Sequence, residues 1–98
     1  MYKRQGNVWA AGLAFEQITV ADTAIGGTST YTTGAVRMSC RVRTAEVCFR
    51  CDGTAPTSTV CTILGVGEIW QSDIGPEIVN FKVIRTGGSS GQLDCHYR

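Results

Sequence analysis

The residues best suited to chemistry in this 98-residue chain are its cysteines and its histidine: Cys40, Cys48, Cys51, Cys61, Cys95 and His96. Cys48 and Cys51 have the C-x2-C spacing of many zinc sites. Their segment alternates like a strand, in which side chains three positions apart point to opposite faces, and no second such pair follows. The strand geometry and the lack of a second pair therefore predict thiols that bind no metal and pack as small apolar groups. An odd number of cysteines and no export signal predict that these thiols are free, in a reducing cytoplasm.

Nucleophilic catalysis would require a base beside the nucleophile and a third group that orients the base. The only histidine, His96, shares a strand face with Asp94 and Arg98, and we expect this face to be exposed to solvent. The Gly/Ser-rich residues 87–91 lack the lysine and the following helix of a phosphate-binding loop. We therefore expect no enzyme activity and no cofactor, and a structural or binding protein instead.

Three arginines, Arg37, Arg41 and Arg43, share one face of the strand predicted for residues 35–43, and Glu46 is the only nearby acid. A nucleic-acid surface would need more basic residues with exposed aromatics between them. The arginine face is therefore expected to be either a solvated strand surface or a contact for an acidic protein partner, because arginine is favoured at interfaces.

The elements that must position these residues are short strands, because apolar and polar residues alternate with a period of two. The predicted strands are residues 15–20, 35–43, 47–51, 60–64, 68–71, 77–85 and 92–98, and the alternation is clearest in residues 35–43. The phase of the pattern changes between the second and third segments, so we predict a turn near residues 43–46. The last two segments predict a closing hairpin, and a further extended piece is expected around Tyr31.

The spacing of these segments and the turn signals between them, such as Asp52-Gly53, are typical of a small all-β protein. We predict an antiparallel β-sandwich or barrel of roughly seven strands. The predicted core consists of apolar residues on the inward faces of the strands: Val36, Met38, Val42, Phe49, Phe81, Val83, Leu93 and Tyr97.

The length suffices for one domain, since domains usually have about 100–150 residues. Residues 1–14 show no regular period and are assigned to an N-terminal arm, and residues 15–98 are assigned to a single β-sandwich domain. The longest nearly uncharged run, residues 7–15, is too short for a membrane span, which needs about 20 apolar residues. The net charge of +1 gives no reason to expect binding to nucleic acid or to a membrane.

The predicted contact surface for a protein partner combines apolar residues of the arm with the arginine face: Tyr2, Val8, Trp9, Leu13, Arg37, Arg41 and Arg43. Without a regular period, the arm cannot easily bury its apolar side chains on its own domain. Burial of an exposed tryptophan against a partner is a common source of binding energy. The alternative is that Trp9 caps the sandwich core and the arm is part of the fold.

Several segments of the chain resemble a group of small virion proteins of tailed bacteriophages. The segments are Val-Cys-Phe-Arg-Cys-Asp-Gly-Thr-Ala-Pro-Thr at 47–57, Glu-Ile-Val-Asn-Phe-Lys-Val-Ile-Arg-Thr-Gly at 77–87, and Leu-Asp-Cys-His-Tyr-Arg at 93–98. Their order is a strand, an Asp-Gly-Thr-x-Pro-Thr turn, a strand with Phe-x-x-Ile-Arg, a Gly/Ser loop and a final strand ending in tyrosine. The cysteines at 48, 51 and 95 are not part of this pattern.

This resemblance implies a head-associated β-sandwich subunit that decorates or cements a capsid. Its partners would be the major capsid protein or other virion proteins. The protein would form a homo-oligomer in a virion that is assembled in the cytoplasm of the bacterial host. One alternative is a tail, head–tail joining or fibre-base structural protein. Another, from a different class, is a small ligand-binding or carbohydrate-binding β module.

Overall fold

The strands of the structure follow the alternation of apolar residues along the chain. In the computed structural model, which describes residues 14–98, the strands are β1 (Ala14–Val20), β2 (Ile25–Gly26), β3 (Met38–Val42), β4 (Val47–Arg50), β5 (Thr62–Leu64), β6 (Ile69–Ser72), β7 (Lys82–Arg85) and β8 (Gly91–Tyr97). Two short helices also form within these residues, α1 (Ser29–Thr32) and α2 (Gly75–Asn80). The described part of the chain is therefore all-β, as the sequence predicts.

The strands of residues 14–98 form two antiparallel sheets of four strands each. Sheet A has the order β1-β8-β3-β6, and sheet B has the order β2-β7-β4-β5. Apolar side chains on the inner faces of both sheets contribute to one hydrophobic core. Two sheets that cover a shared core in this way form a β-sandwich.

Three aromatic rings pack together in this core. The ring of Phe81 stacks on that of Trp70, with centroids 4.3 Å apart, and its centroid is 5.6 Å from that of Phe49. The predicted core residues that are buried are Met38, Val42, Phe49, Phe81, Val83, Leu93 and Tyr97. The prediction is wrong for Val36, which is 65% exposed. β3 begins only at Met38, so Val36 lies beyond the end of the strand.

The change of phase after Val42 marks the passage from one sheet to the other. β3 ends at Val42 in sheet A, β4 begins at Val47 in sheet B, and both valines are buried. Residues 44–45, between the two strands, form a bend. The connection turns the chain over, so that even-numbered positions of β3 and odd-numbered positions of β4 face the same core.

The predicted closing hairpin is wrong. β7 pairs with β2 and β4 in sheet B, whereas β8 pairs with β1 and β3 in sheet A. Residues 86–90 therefore carry the chain from one sheet to the other instead of joining neighbouring strands. Alternation records which side of a strand is buried but not which sheet the strand joins, so consecutive strands of a sandwich can resemble a hairpin.

Two segments that the sequence predicts as extended form helices. Residues 77–80 belong to α2, in which Pro76 lies in the first turn, where proline is favoured. Val79, predicted on the same face as Phe81, is consequently 57% exposed. The segment around Tyr31 forms α1. Neither helix in residues 14–98 has the length and apolar character that crossing a lipid bilayer requires.

Candidate functional site

The outer face of sheet A, the side turned away from the core, carries the predicted arginines. The strand register aligns outward side chains in rows across the sheet. One row contains Phe15, His96, Ser39 and Gln71, and the next contains Gln17, Asp94, Arg41 and Ile69. Arg37 and Arg43 flank β3, and Arg37 exchanges two backbone hydrogen bonds with Arg98. Alternation along each strand thus collects these side chains on one surface.

Arg43 has an ionic partner within this face. Its Nε atom lies 3.1 Å and 3.3 Å from the two carboxylate oxygens of Asp94, which also accepts a 3.0 Å hydrogen bond from Gln17. The hydrogen bond from Gln17 and the interaction with Arg43 hold the pKa of Asp94 below its usual range. Arg43 therefore adds less net charge to the surface than its position in the sequence suggests.

Arg37 and Arg41 are both exposed, and their side chains form no salt bridge with another residue of the described part of the chain. Large apolar residues lie on the same face. Phe15 on β1 is 50% exposed, and Ile69 on β6, the direct cross-strand partner of Arg41, is 58% exposed. Arginine beside exposed aromatic and aliphatic groups is a composition enriched in the binding surfaces of proteins.

A shallow hollow of about 380 Å³ lies on this face. Its lining includes Phe15, Arg37, Ser39, His96 and Arg98, and we call it the basic hollow. The rings of His96 and Phe15 pack together, with centroids 4.8 Å apart. The hollow combines an aromatic wall with guanidinium and hydroxyl donors, so it is suited to a carboxylate or another anionic group.

A hydrogen-bond cluster is centred on Glu16, which is half-buried in β1. Its carboxylate accepts hydrogen bonds of 3.0 Å and 2.7 Å from the backbone N–H and the hydroxyl of Thr28, and the buried Tyr97 hydroxyl also donates to it. A Cβ atom on Gly27 would collide with that hydroxyl. The cluster fastens the loop between β2 and α1 to sheet A, and we assign it a structural role.

The same cluster shifts two pKa values in opposite directions. Burial by itself would raise the pKa of Glu16, but the hydrogen bonds from Tyr97 and Thr28 outweigh it and lower the pKa below the usual range. Burial, together with the hydrogen bond to Glu16, raises the pKa of Tyr97. The folded protein therefore favours an ionised Glu16 beside a neutral Tyr97.

Replacing Glu16 with glutamine is expected to lower the free energy of unfolding at neutral pH by about 1–2 kcal/mol, because hydrogen bonds to a charged acceptor are the stronger ones. Since folding lowers the pKa of Glu16, its contribution is present above the usual glutamate pKa and is lost as the pH falls through the pKa of the folded state. Urea denaturation of both proteins at neutral pH and at about pH 3 measures the difference. It should shrink on acidification.

The matched control is Asp22→Asn, which removes an exposed carboxylate that makes no side-chain hydrogen bond within the described residues. This variant should differ little from the wild type at either pH. A difference between the wild type and Glu16→Gln that stays constant with pH would contradict the assigned role of the charge.

The prediction of free thiols is wrong for Cys48 and Cys61, which form a disulfide with Cα atoms 5.4 Å apart. Cys48 points to the outer face of sheet B, and Cys61 reaches that face two residues before Ile63, the cross-strand partner of Cys48. The intervening loop folds back on the sheet, with Pro56 buried. Because a disulfide sulfur offers no thiolate to a metal, Cys48 cannot form a zinc pair with Cys51 in this structure.

The arginines predicted for one strand face, Arg37, Arg41 and Arg43, do lie together on the outer face of sheet A, and their role in binding stays a prediction. The other predicted contact residues, Tyr2, Val8, Trp9 and Leu13, lie outside the described residues. Sequence reasoning missed Phe15 and Ile69 as members of this face. The alternation of β1 could have placed Phe15 outward, opposite in phase to the buried Ile18, but β6 is too short for such a signal.

The described surface therefore offers guanidinium groups, a histidine–aromatic pair and exposed apolar side chains on one sheet. Among residues 14–98, no three or more histidine, cysteine, aspartate and glutamate side chains are grouped so that they could hold a metal ion. Comparisons with known proteins found no match to a family model, to a curated protein or to a solved structure.

Proposed function

We propose that this protein is a structural component of a tailed-phage virion, a capsid decoration or cement protein that binds the capsid lattice through the outer face of sheet A. The observation that carries the proposal is the pair of exposed arginines, Arg37 and Arg41, on a face that also exposes Phe15 and Ile69. The partner surface would be acidic and would belong to the major capsid protein or to another virion protein. Guanidinium groups bind carboxylates through paired hydrogen bonds, and apolar neighbours exclude water from them.

The size of the sandwich supports attachment through several copies. One face of so small a domain buries little area, so firm attachment needs added segments or multivalency. We propose a homo-oligomer in which the N-terminal arm extends the contact. Ala14, the first described residue, pairs with Tyr97, and Tyr97 pairs with Met38 next to Arg37. Ala14 therefore lies beside the arginine face, which is consistent with the proposal that the arm and this face contact one partner.

The Cys48–Cys61 disulfide supports a location that is oxidising for at least part of the life of the protein. Disulfides are rare in the reducing cytosol and persist outside the cell. A virion assembles in the bacterial cytoplasm and is then released from it. In this proposal the bond persists on the released particle, where it holds the loop over sheet B.

The test is co-sedimentation of the purified protein with heads assembled from the major capsid protein encoded in the same genome. The double variant Arg37→Glu, Arg41→Glu is expected to bind about 10–100-fold more weakly, because each reversed charge repels an acidic partner. The matched control, Lys82→Glu, reverses one charge on sheet B and should bind like the wild type. Circular dichroism checks that each variant is folded. Undiminished binding by the double variant would refute the arginine contact.

The same experiment separates the alternatives. Binding of the wild-type protein to tails or connectors, but not to heads, would assign it to a tail, head–tail joining or fibre-base structure. Binding to no part of the virion, together with capture on a glycan array that Arg37→Glu abolishes, would favour the small ligand-binding or carbohydrate-binding module. Either outcome would overturn the decoration role.

A further inference from the structure

The sulfur atoms of two buried core cysteines lie closer together than the van der Waals contact of two free thiols allows. The Sγ atoms of Cys40 and Cys95 are 2.7 Å apart, and both residues are fully buried. This separation is well inside the van der Waals contact distance of two sulfur atoms. The thiol is also a weak donor and a weak acceptor, so a hydrogen bond does not account for so short a contact. A covalent bond between the two sulfurs would remove the clash.

The strand register places this pair where a cross-strand bond fits. Arg37 and Arg98 exchange two backbone hydrogen bonds, so they form a hydrogen-bonded pair of the antiparallel ladder. Pairs alternate along such a ladder, and Cys40 opposite Cys95 is therefore a pair without hydrogen bonds between its own backbone groups. Side chains approach most closely at these positions, at about the Cβ separation that a disulfide needs.

We propose that Cys40 and Cys95 form a second disulfide, which joins β3 to β8 in the centre of sheet A. The bond would link residues that are 55 positions apart, whereas Cys48 and Cys61 are 13 positions apart. Closing the longer loop removes more conformational entropy from the unfolded chain. The cysteines would then form two pairs, one in each sheet, and Cys51 would remain as a half-buried thiol.

The bond requires an oxidant, for which oxidised glutathione suffices. One cysteine thiolate attacks the glutathione disulfide and releases one glutathione thiol, which leaves a mixed disulfide on the protein. The other cysteine then displaces the second glutathione, so two electrons and two protons pass from the cysteines to two glutathione thiols. The contact with Cys95, together with burial, raises the pKa of the Cys40 thiol. The attacking thiolate is therefore disfavoured in the folded state. The bond should therefore close when the sheets do not cover the pair, either during folding or during a later opening of sheet A.

Thiol counting tests the proposal directly. The reduced, unfolded protein is refolded in a mixture of reduced and oxidised glutathione, then unfolded without reductant and treated with an alkylating agent. Five cysteines less two pairs leave a single alkylated residue, Cys51. Alkylation of Cys40 and Cys95 in addition to Cys51 would overturn the proposal, and so would alkylation of all the cysteines.

Peptide mapping identifies the partners. Trypsin cleaves after lysine and arginine, so Cys40 falls in residues 38–41 and Cys95 falls in residues 86–98. Without reduction these two peptides should be recovered as one covalent pair, lighter by two hydrogen atoms than their sum. Linkage of Cys95 to Cys51 or to Cys61 would overturn the proposed pairing.

A matched pair of double variants separates the two bonds. In Cys48→Ala, Cys61→Ala the count of free thiols should still be one, and refolding without oxidant should lower the melting temperature by roughly 15–30 °C relative to the oxidised form. In Cys40→Ala, Cys95→Ala the count should also be one, with the remaining bond between Cys48 and Cys61. If the Cys48→Ala, Cys61→Ala variant had the same melting temperature after refolding with and without oxidant, the second disulfide would be contradicted.

Discussion

Replacing Phe81 with alanine is expected to lower the free energy of unfolding by about 3–5 kcal/mol, a large part of the stability of a small domain. Phe81 is 1% exposed and contacts aromatic rings from both sheets, Trp70 of sheet A and Phe49 of sheet B. Its removal would leave a cavity where the two sheets meet, and neighbours that belong to rigid strands cannot collapse into it. Urea denaturation, followed by tryptophan fluorescence and circular dichroism, measures the loss.

The matched control is Val79→Ala, two residues away in the chain. The alternation of residues 77–85 predicts that Val79 and Phe81 share a buried face, whereas the structure places Val79 in α2 with its side chain 57% exposed. We therefore expect this variant to change stability by no more than about 0.5 kcal/mol. A loss close to that of Phe81→Ala would mean that the segment is a strand with Val79 in the core.

Removal of the disulfide through Cys48→Ala, Cys61→Ala is expected to lower the free energy of unfolding by about 3 kcal/mol, given the 13-residue separation of the two cysteines. The bond restricts the unfolded chain, and in the folded chain it holds the loop that contains the buried Pro56. Such a loss corresponds to roughly 12–24 °C in melting temperature for a domain of this size. Thermal denaturation and urea denaturation of the two proteins, in the same buffer without reductant, give both values.

Cys51→Ala serves as the control for this experiment, because Cys51 is half-buried and belongs to no disulfide in the structure. Its replacement removes a similar side chain without breaking a covalent bond, so the loss should be clearly smaller. Equal losses in the two proteins would show that packing of the sulfur atoms, and not the bond, stabilises the loop.

Both stability predictions bear on the proposed attachment surface only indirectly. Phe81 and the disulfide lie in the core and on sheet B, whereas the arginine face is the outer side of sheet A. Variants that destabilise the domain moderately should therefore keep their affinity for a partner at temperatures where they remain folded. The charge reversals at Arg37 and Arg41 should do the opposite, since they alter exposed side chains.

The sequence by itself determined the class of the fold and most of its buried residues. Alternation depends on local geometry, because successive side chains of any strand point to opposite sides. It therefore predicted β1, β3, β4 and β8 and the buried positions of Met38, Val42, Leu93 and Tyr97. The same local rule collected Arg37, Arg41 and Arg43 on one face.

Only the tertiary structure decided which strands are neighbours. β7 and β8 follow each other in the chain but lie in different sheets, because pairing depends on contacts between residues distant in sequence. Such contacts also pair Arg43 with Asp94, join Cys48 to Cys61 and bring Phe15 and Ile69 to the two edges of the arginine face. A period of two specifies the inward side of each strand, but the partner across the sheet is chosen by the packing of the whole core.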